Sequence, residues 1–345
     1  MGIGTVGGSF IKQLRRQQEI LFTQKRLKLK LVGVANSKRM IFDRDGIDLL
    51  NYKDLLKASD KISDFTAFIK EMTSMNMFNS VFIDCTANEE LAMHYLSILD
   101  SSISIVAANK VAASSEYNYY KQLKDAAVRK GIKFYFETNV GAGLPILSTI
   151  KDLINSGDQI IKIEAVLSGT LNYIFNTLSK DIPLSKAVLM AKEEGYSEPD
   201  PRVDLSGKDV VRKLLILCRE AGYELEERDV HVERFIPDEL MNGSIEDFWE
   251  EIKGLDSVFE SKRVALEAGN KRWRFIARFD PNGATISLIE VDSHSPFYDL
   301  EGSNNVILFT TERYNEFPMQ IKGYGAGAGV TAAGVFADII RIANI

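Results

Sequence analysis

Gly2-Ile3-Gly4-Thr5-Val6-Gly7 carries the Gly-x-Gly-x-x-Gly spacing of a dinucleotide-binding turn. In such a turn the first glycine permits a tight bend, the second lets a pyrophosphate approach the backbone, and the third lets the following helix pack closely. Alone the spacing is a weak sign, because glycine turns without a nucleotide share it. The sequence that follows strengthens it. Short apolar runs at Leu29–Val34, Ser80–Asp84, Ser104–Ala107 and Lys133–Glu137 read as strands, alternating with helical patterns at Gly7–Arg16, Ala87–Ser97 and Glu116–Lys130. That alternation predicts a parallel sheet with right-handed crossovers, its strands apolar because both faces are covered.

A turn of this kind follows a strand, yet only Met1 precedes it. A missing strand with about four or five buried apolar residues, each contributing roughly 1.5–3 kcal/mol, removes about as much as a domain's whole net stability. The expectation is that the sequence is an excised fragment, a misassigned start, or the tail of a longer polypeptide. The chain as it stands is then expected to express poorly unless upstream residues are restored.

From Gly141 the character changes. A helix through Leu153, a strand at Ile160–Leu167 and helices at Leu171–Ser179, Leu184–Glu194 and Ser206–Ala221 are followed by alternating segments at Arg272–Phe279, Thr285–Val291 and Val306–Thr311. The alternation predicts an antiparallel sheet with one wet face. A glycine-rich loop, Gly323–Gly329, opens a final helix expected to return to the first domain. The fold class is therefore α/β: a Rossmann-like dinucleotide-binding domain without its first strand, residues 1–140 with 323–345, and an α+β domain, residues 141–322.

A chain of 345 residues with 45% apolar content can bury two cores. Its net charge of −6 is scattered, so neither nucleic acid nor a membrane surface is an expected partner. No apolar run reaches the length of a bilayer and no signal-peptide pattern opens the chain, so a cytoplasmic location is expected. Cys85, Cys218, His94, His231 and His294 fit no zinc or disulfide spacing, and no transition metal is expected.

Sites that select NAD place an acidic residue about twenty to thirty positions after the glycines. Here Asn36, Ser37, Lys38 and Arg39 stand there instead, donors and cations suited to a 2′-phosphate. NADP is the expected cofactor, with NAD possible, and a solvated basic turn is the alternative reading. Asp209 and Lys213, four apart on a helix, lie at the edge of the apolar stripe Val210, Leu214, Leu217 and Cys218. They can meet at a cleft, or form an exposed ion pair worth about 0.3–0.5 kcal/mol. Glu198-Pro-Asp-Pro-Arg202 is either a proline-stiffened carboxylate loop or a solvated turn. Ser168-Gly-Thr-Leu-Asn172, at a strand-to-helix junction, offers backbone N–H groups to a carboxylate, or a threonine helix cap. Cys85, after a strand, is either a nucleophile for a thioester or a small buried side chain.

Taken together, Gly2–Gly7, Ala108-Asn-Lys110, Glu137-Thr-Asn-Val-Gly-Ala-Gly-Leu-Pro145, Leu167-Ser-Gly-Thr-Leu-Asn172, Gly195-Tyr-Ser-Glu-Pro-Asp-Pro-Arg202 with Asp204, Asp209 and Lys213, and Gly325-Ala-Gly-Ala-Gly-Val-Thr-Ala332 resemble homoserine dehydrogenase in order and over nearly the whole chain. Ala35-Asn-Ser-Lys38 resembles in particular the form fused behind an aspartate kinase. The resemblance implies NADP(H)-dependent interconversion of L-aspartate 4-semialdehyde and L-homoserine, small-molecule substrates, and a homodimer joined through the second domain, with Arg272–Val291 as sheet surface. It makes Lys213 and Asp209 the catalytic pair, with Lys110 beside the nicotinamide and substrate. Glu198 and Asp204 would hold the substrate ammonium or orient the site, which Tyr196, Thr170 and Gly169 line. Gly2, Gly4, Thr5, Val6, Gly7, Thr86, Gly327 and the Asn36–Arg39 turn would contact the cofactor. The backbone carbonyls of Glu137, Val140, Ala142 and Leu144 would bind a monovalent cation such as Na⁺. One departure is visible: Gly329 stands where many relatives carry a polar or acidic residue. Hydride arriving at an aldehyde puts negative charge on oxygen, which a lysine ammonium is suited to meet.

Overall fold

A computed structural model describes residues 1–344 and divides the chain into two units, Met1–Gly143 with Gly327–Ile345, and Leu144–Ala326.

In the first unit, β1 (Gly33–Ala35) and β2 (Met40–Phe42) form an antiparallel pair, while β3 (Val81–Asp84), β4 (Ser104–Ala107) and β5 (Phe134–Tyr135) form a parallel sheet in that order. Every residue of β4 is buried, as a strand covered on both faces should be. The helix after the glycine turn runs Thr5–Lys25, past the expected Arg16, because no breaker follows and Arg26 ends it in the left-handed conformation, its N–H on the Phe22 carbonyl and the Leu27 N–H on the Leu21 carbonyl. Phe10, Ile11 and Leu14 share one face of that helix and pack with Val335 and Ile339 of the last helix, Ala328–Ile342. Phe10 and Phe336 meet edge to face at 5.9 Å.

Several elements differ from expectation. The strand expected at Leu29–Val34 is ordered as strand only at Gly33–Ala35. The helix expected over Ala87–Ser97 is two, Glu89–Met93 and Tyr95–Asp100, the first started by the Asn88 side chain accepting from the Leu91 N–H. Glu137 closes no strand; Glu137–Asn139 is a turn of 3₁₀ helix. Helices at Tyr52–Ala58 and Phe65–Ser74 had no sequence counterpart.

The second unit is built on a six-stranded sheet in the order β11 (Met319–Tyr324), β10 (Asn304–Thr311), β6 (Ile160–Val166), β8 (Lys271–Asp280), β9 (Gly283–Asp292) and β7 (Val230–Val232). All pairs are antiparallel except β7 with β9. β11 alternates as a strand with one wet face does, but β10 is buried from Asn305 to Thr311. β11 and β7 were not anticipated, and β11 takes Gly323 and Tyr324 out of the expected loop. The helix carrying Asp209 and Lys213 starts at Lys208, after a separate turn at Arg202–Leu205.

Candidate active site

In the first unit the three glycines of the opening turn differ in their surroundings. A Cβ on Gly2, whose φ is +80°, would meet Cys85 and Thr86 at 2.7–2.9 Å, and one on Gly7 would lie 1.9 Å from the Gly2 carbonyl oxygen. A Cβ on Gly4 would meet nothing within 4 Å. Two positions are thus closed by the protein's own packing, and the middle one faces open space at the start of a long helix. No side chain caps that helix at Gly4, and such a terminus favours an anion. Thr5 and Val6 lie in its first turn.

The Asn36–Arg39 turn is shaped by Asn36, whose Oδ1 accepts from the Lys38 and Arg39 N–H groups, each at 2.8 Å. Ser37 and Lys38 are exposed, while Arg39 is half-buried and donates to the Asp60 carbonyl. Asn36 therefore builds the turn and the cations stand on it. The mouth of β3 is held by Asp84, fully buried, which accepts from Tyr95 Oη at 2.6 Å, Asn109 Nδ2 at 3.0 Å and the Thr86 N–H at 2.7 Å. Asn109 also donates to the Asn88 carbonyl, so Lys110, next in sequence and half-buried, starts from a fixed backbone. Asp84 and Asn109 were not singled out from sequence; an acidic residue closing a parallel strand was the signal for the first. Burial pushes the Cys85 thiol up to about 11, which keeps it protonated at neutral pH and unfit as a nucleophile.

Gly327 precedes the last helix with φ +116°, and the Gly329 carbonyl accepts from Gln13 Nε2 at 2.8 Å. A side chain at Gly329 would find open space. In the Glu137–Ala142 segment, Ala142 holds a left-handed φ of +52° although it is not glycine. Thr138 Oγ1 and Asn139 Oδ1 are buried without a hydrogen-bond partner. The Glu137 N–H donates to Asp338, and Arg341 binds both carboxylates at 2.8 Å.

In the second unit, Lys213 is only 8% exposed. Its ammonium donates to the Leu167 carbonyl at 2.7 Å and to Asp209 Oδ2 at 2.8 Å, and the Asp209 side chain remains 47% exposed. This is not the exposed helix pair considered from sequence. Leu167 lies between β6 and the Gly169–Thr177 helix, and its carbonyl also accepts from Asn305 Nδ2 at 3.3 Å. Asn305 is fully buried, and its amide is packed so tightly that a Cβ on Gly325 would lie 2.0 Å from Asn305 Cγ. Nothing in the sequence marked Asn305, because its role depends on a contact with a residue 138 positions away.

The helix after Leu167 is capped by Ser168, whose Oγ accepts from the Leu171 N–H, and not by Thr170. Thr170 Oγ1 instead lies 2.6 Å from the Tyr196 carbonyl and 3.0 Å from Asp204 Oδ1. Asp204 Oδ2 accepts from the Glu198 N–H at 2.8 Å. Asp204 thus fixes the Tyr196–Glu198 loop, leaving the Glu198 side chain exposed, and burial raises the Asp204 carboxyl above the ordinary range. Tyr196 stacks on Tyr173 at 4.4 Å. Asp200 and Arg202 pair through both carboxylate oxygens, and Arg202 reaches the Asn242 and Gly243 carbonyls. A Cβ on Gly169 would lie 3.0 Å from the Ser303 carbonyl oxygen.

The sequence model described as "Homoserine dehydrogenase" matches residues 145–340, and that described as "Homoserine dehydrogenase, NAD binding domain" matches residues 2–137. The chain belongs to the homoserine dehydrogenase family. The first of these matches runs from the start of the second unit into the last helix; the NAD-binding match falls within the first unit. The bifunctional aspartokinase/homoserine dehydrogenase of Haemophilus influenzae is 39% identical over 99% of this chain and 42% of its own length. A chloroplastic bifunctional relative from Zea mays is 37% identical over 100% of this chain and 38% of its own. The chain thus spans about two fifths of the length of these curated relatives. Among solved structures, a protein of unknown function from Candida auris superposes with a TM-score of 0.88 at 35% identity, over 99% of this chain and 96% of that one. A hyperthermophilic archaeal homoserine dehydrogenase in complex with NADPH superposes with a TM-score of 0.75 over 99% of this chain and 96% of that one. At 23% identity it speaks for the fold.

Proposed function

We propose that this chain catalyses the NADP(H)-dependent interconversion of L-aspartate 4-semialdehyde and L-homoserine. The observation that carries the reading is the Lys213 ammonium: buried, and tied by two of its three N–H donors to Asp209 and the Leu167 carbonyl. The third donor is then available to an aldehyde oxygen as it gains negative charge, where a preorganised cation in a poorly hydrated site acts most strongly. Asp209 steadies the ammonium and, half-exposed, links it to solvent for the return of a proton. The Thr170, Asp204 and Tyr196 cluster fixes the loop from which Glu198 meets an amino-acid ammonium.

The open face of Gly4 between the closed Gly2 and Gly7 fits a pyrophosphate on the Thr5–Lys25 helix. NADPH, when bound, supplies the hydride. Lys38 and Arg39 on the Asn36 turn support NADP over NAD, as does the NADPH complex of the archaeal relative. The reading includes Lys110 and Thr86 as further cofactor contacts and Gly327 as part of the loop over the cofactor. It also includes a monovalent cation on the carbonyls of Glu137, Val140, Ala142 and Leu144, supported by the unpartnered oxygens of Thr138 and Asn139. The reading takes a homodimer through the second unit's sheet from the family resemblance, and an upstream aspartate kinase from the bifunctional relatives. Loss of absorbance at 340 nm on mixing the chain with NADPH and aspartate semialdehyde tests the reaction; NADPH binding with no turnover would overturn it.

A further inference from the structure

A backbone carbonyl oxygen offers two acceptor positions, and at Leu167 two side chains take them: the Lys213 ammonium at 2.7 Å and Asn305 Nδ2 at 3.3 Å. The oxygen that holds the lysine is therefore itself held. Asn305, the second residue of β10, is fully buried and stands opposite Gly323 of β11. The loop leading into it is fastened from two sides. Arg274 donates to the Phe297, Tyr298 and Leu300 carbonyls, and Asn172 Nδ2 donates to the Gly302 carbonyl at 2.8 Å. Gly325 lies so close that a Cβ there would come 2.3 Å from both the nitrogen and the oxygen of the Asn305 amide. An amide enclosed in this way has no room to turn from Leu167.

For stability alone this side chain is a poor choice. Its Oδ1 is buried and has no hydrogen-bond partner among the described residues, and a buried polar atom left in that state costs stability. Its one side-chain hydrogen bond among those residues goes to the oxygen that also anchors the buried ammonium. An apolar side chain would fill the place without the unpartnered atom, but it would leave half of the Leu167 oxygen open.

We propose that Asn305 is a positioning residue for Lys213. By taking the second lone pair of the Leu167 carbonyl, it fixes the side from which that oxygen draws the ammonium and keeps a water molecule from the same place. With that position empty, the ammonium can swing around the oxygen and a water can enter beside it. The charge is then hydrated and less well aimed at an oxygen that gains negative charge. The proposal rests on the reading of Lys213 as the group that meets the substrate aldehyde. Asn305 acts through Leu167 and is not a catalytic residue.

Asn305→Ala removes the donor together with the unpartnered oxygen. It is expected to lower kcat by about thirtyfold, with KM for aspartate semialdehyde and NADPH changed by less than about twofold; an unchanged kcat would overturn the proposal. A second measurement does not depend on turnover. Lysines are labelled with acetic anhydride in the absence of substrate and cofactor, and peptide mass mapping compares Lys213 with the other lysines. Loss of one hydrogen bond at its anchor is expected to speed Lys213 labelling about tenfold in the variant. An unchanged relative rate overturns the proposal even where kcat has fallen, since the loss would then be a general structural one. Should the parent chain fail to reduce aspartate semialdehyde, the dehydrogenase reading falls, while labelling still decides whether Asn305 holds Lys213. Should Asn305→Ala not fold, Asn305→Asp keeps the shape of the side chain and presents only acceptor oxygens to Leu167. The same fall in kcat at unchanged KM is expected of it, and parent-like turnover overturns the proposal.

Discussion

The Gly2–Gly7 turn and the surroundings of Lys213 reach order by different routes. In the turn the tightest approach is backbone and local, between Gly7 and the Gly2 carbonyl five positions away, and only Gly2 is also closed from afar, by Cys85 and Thr86. Around Lys213 the decisive contacts join residues 46 and 138 positions apart, through the Leu167 carbonyl to the lysine and to Asn305. A backbone cradle can be written as a local spacing. A buried ammonium needs partners that only the assembled sheet and helices bring to it.

If that contrast holds, the two regions should fail differently. Lys213→Ala is expected to lower kcat by about a thousandfold while NADPH affinity changes less than about twofold; stopped-flow turnover and fluorescence titration measure the two, and a collapse of NADPH binding instead would erase the distinction. Gly7→Ala puts a Cβ 1.9 Å from the Gly2 carbonyl oxygen. It is expected to weaken NADPH binding by about a hundredfold, roughly 3 kcal/mol, with kcat at saturating cofactor nearly kept.

A side chain in the first unit sharpens the contrast further. Burial, with the Glu137 carboxylate adding to it, raises the Asp338 carboxyl from 3.8 to about 6. The folded chain thus holds a proton that the unfolded chain has released. The stability this contributes is full below about pH 3.8 and lost as the pH rises through about 6. Asp338→Asn cannot titrate, so it should gain on the parent between about pH 4 and pH 6.5, by up to about 3 kcal/mol. Urea midpoints across that range report the gain, and a constant difference would assign Asp338 no such shift. The smallest effect belongs to Cys85→Ser, expected to leave kcat within about twofold because a thiol held protonated has no nucleophilic part to lose.

Much of the fold was legible because its signals are local. Apolar runs placed β3 and β4 within a residue of their observed bounds, and the alternating pattern found β8, β9 and β10. The short β2, β7 and β11 escaped notice, since strands of three to six residues with mixed polarity draw their order from neighbours rather than from their own composition. Leu29–Val32 shows the converse. Its composition asks for a strand, yet strand begins only beyond it, at Gly33.

By itself, the sequence determined the order of the elements, the glycine cradle and the residue types able to meet a negative oxygen, because propensity, backbone freedom and charge belong to each residue or to near neighbours. Tertiary structure alone decided that Lys213 is buried on the Leu167 carbonyl, that Asp204 fastens the Tyr196–Glu198 loop, and that Asn305 is locked beneath Gly325. Desolvation and hydrogen bonding depend on which distant groups packing brings within about 3 Å, and sequence spacing carries no measure of that distance.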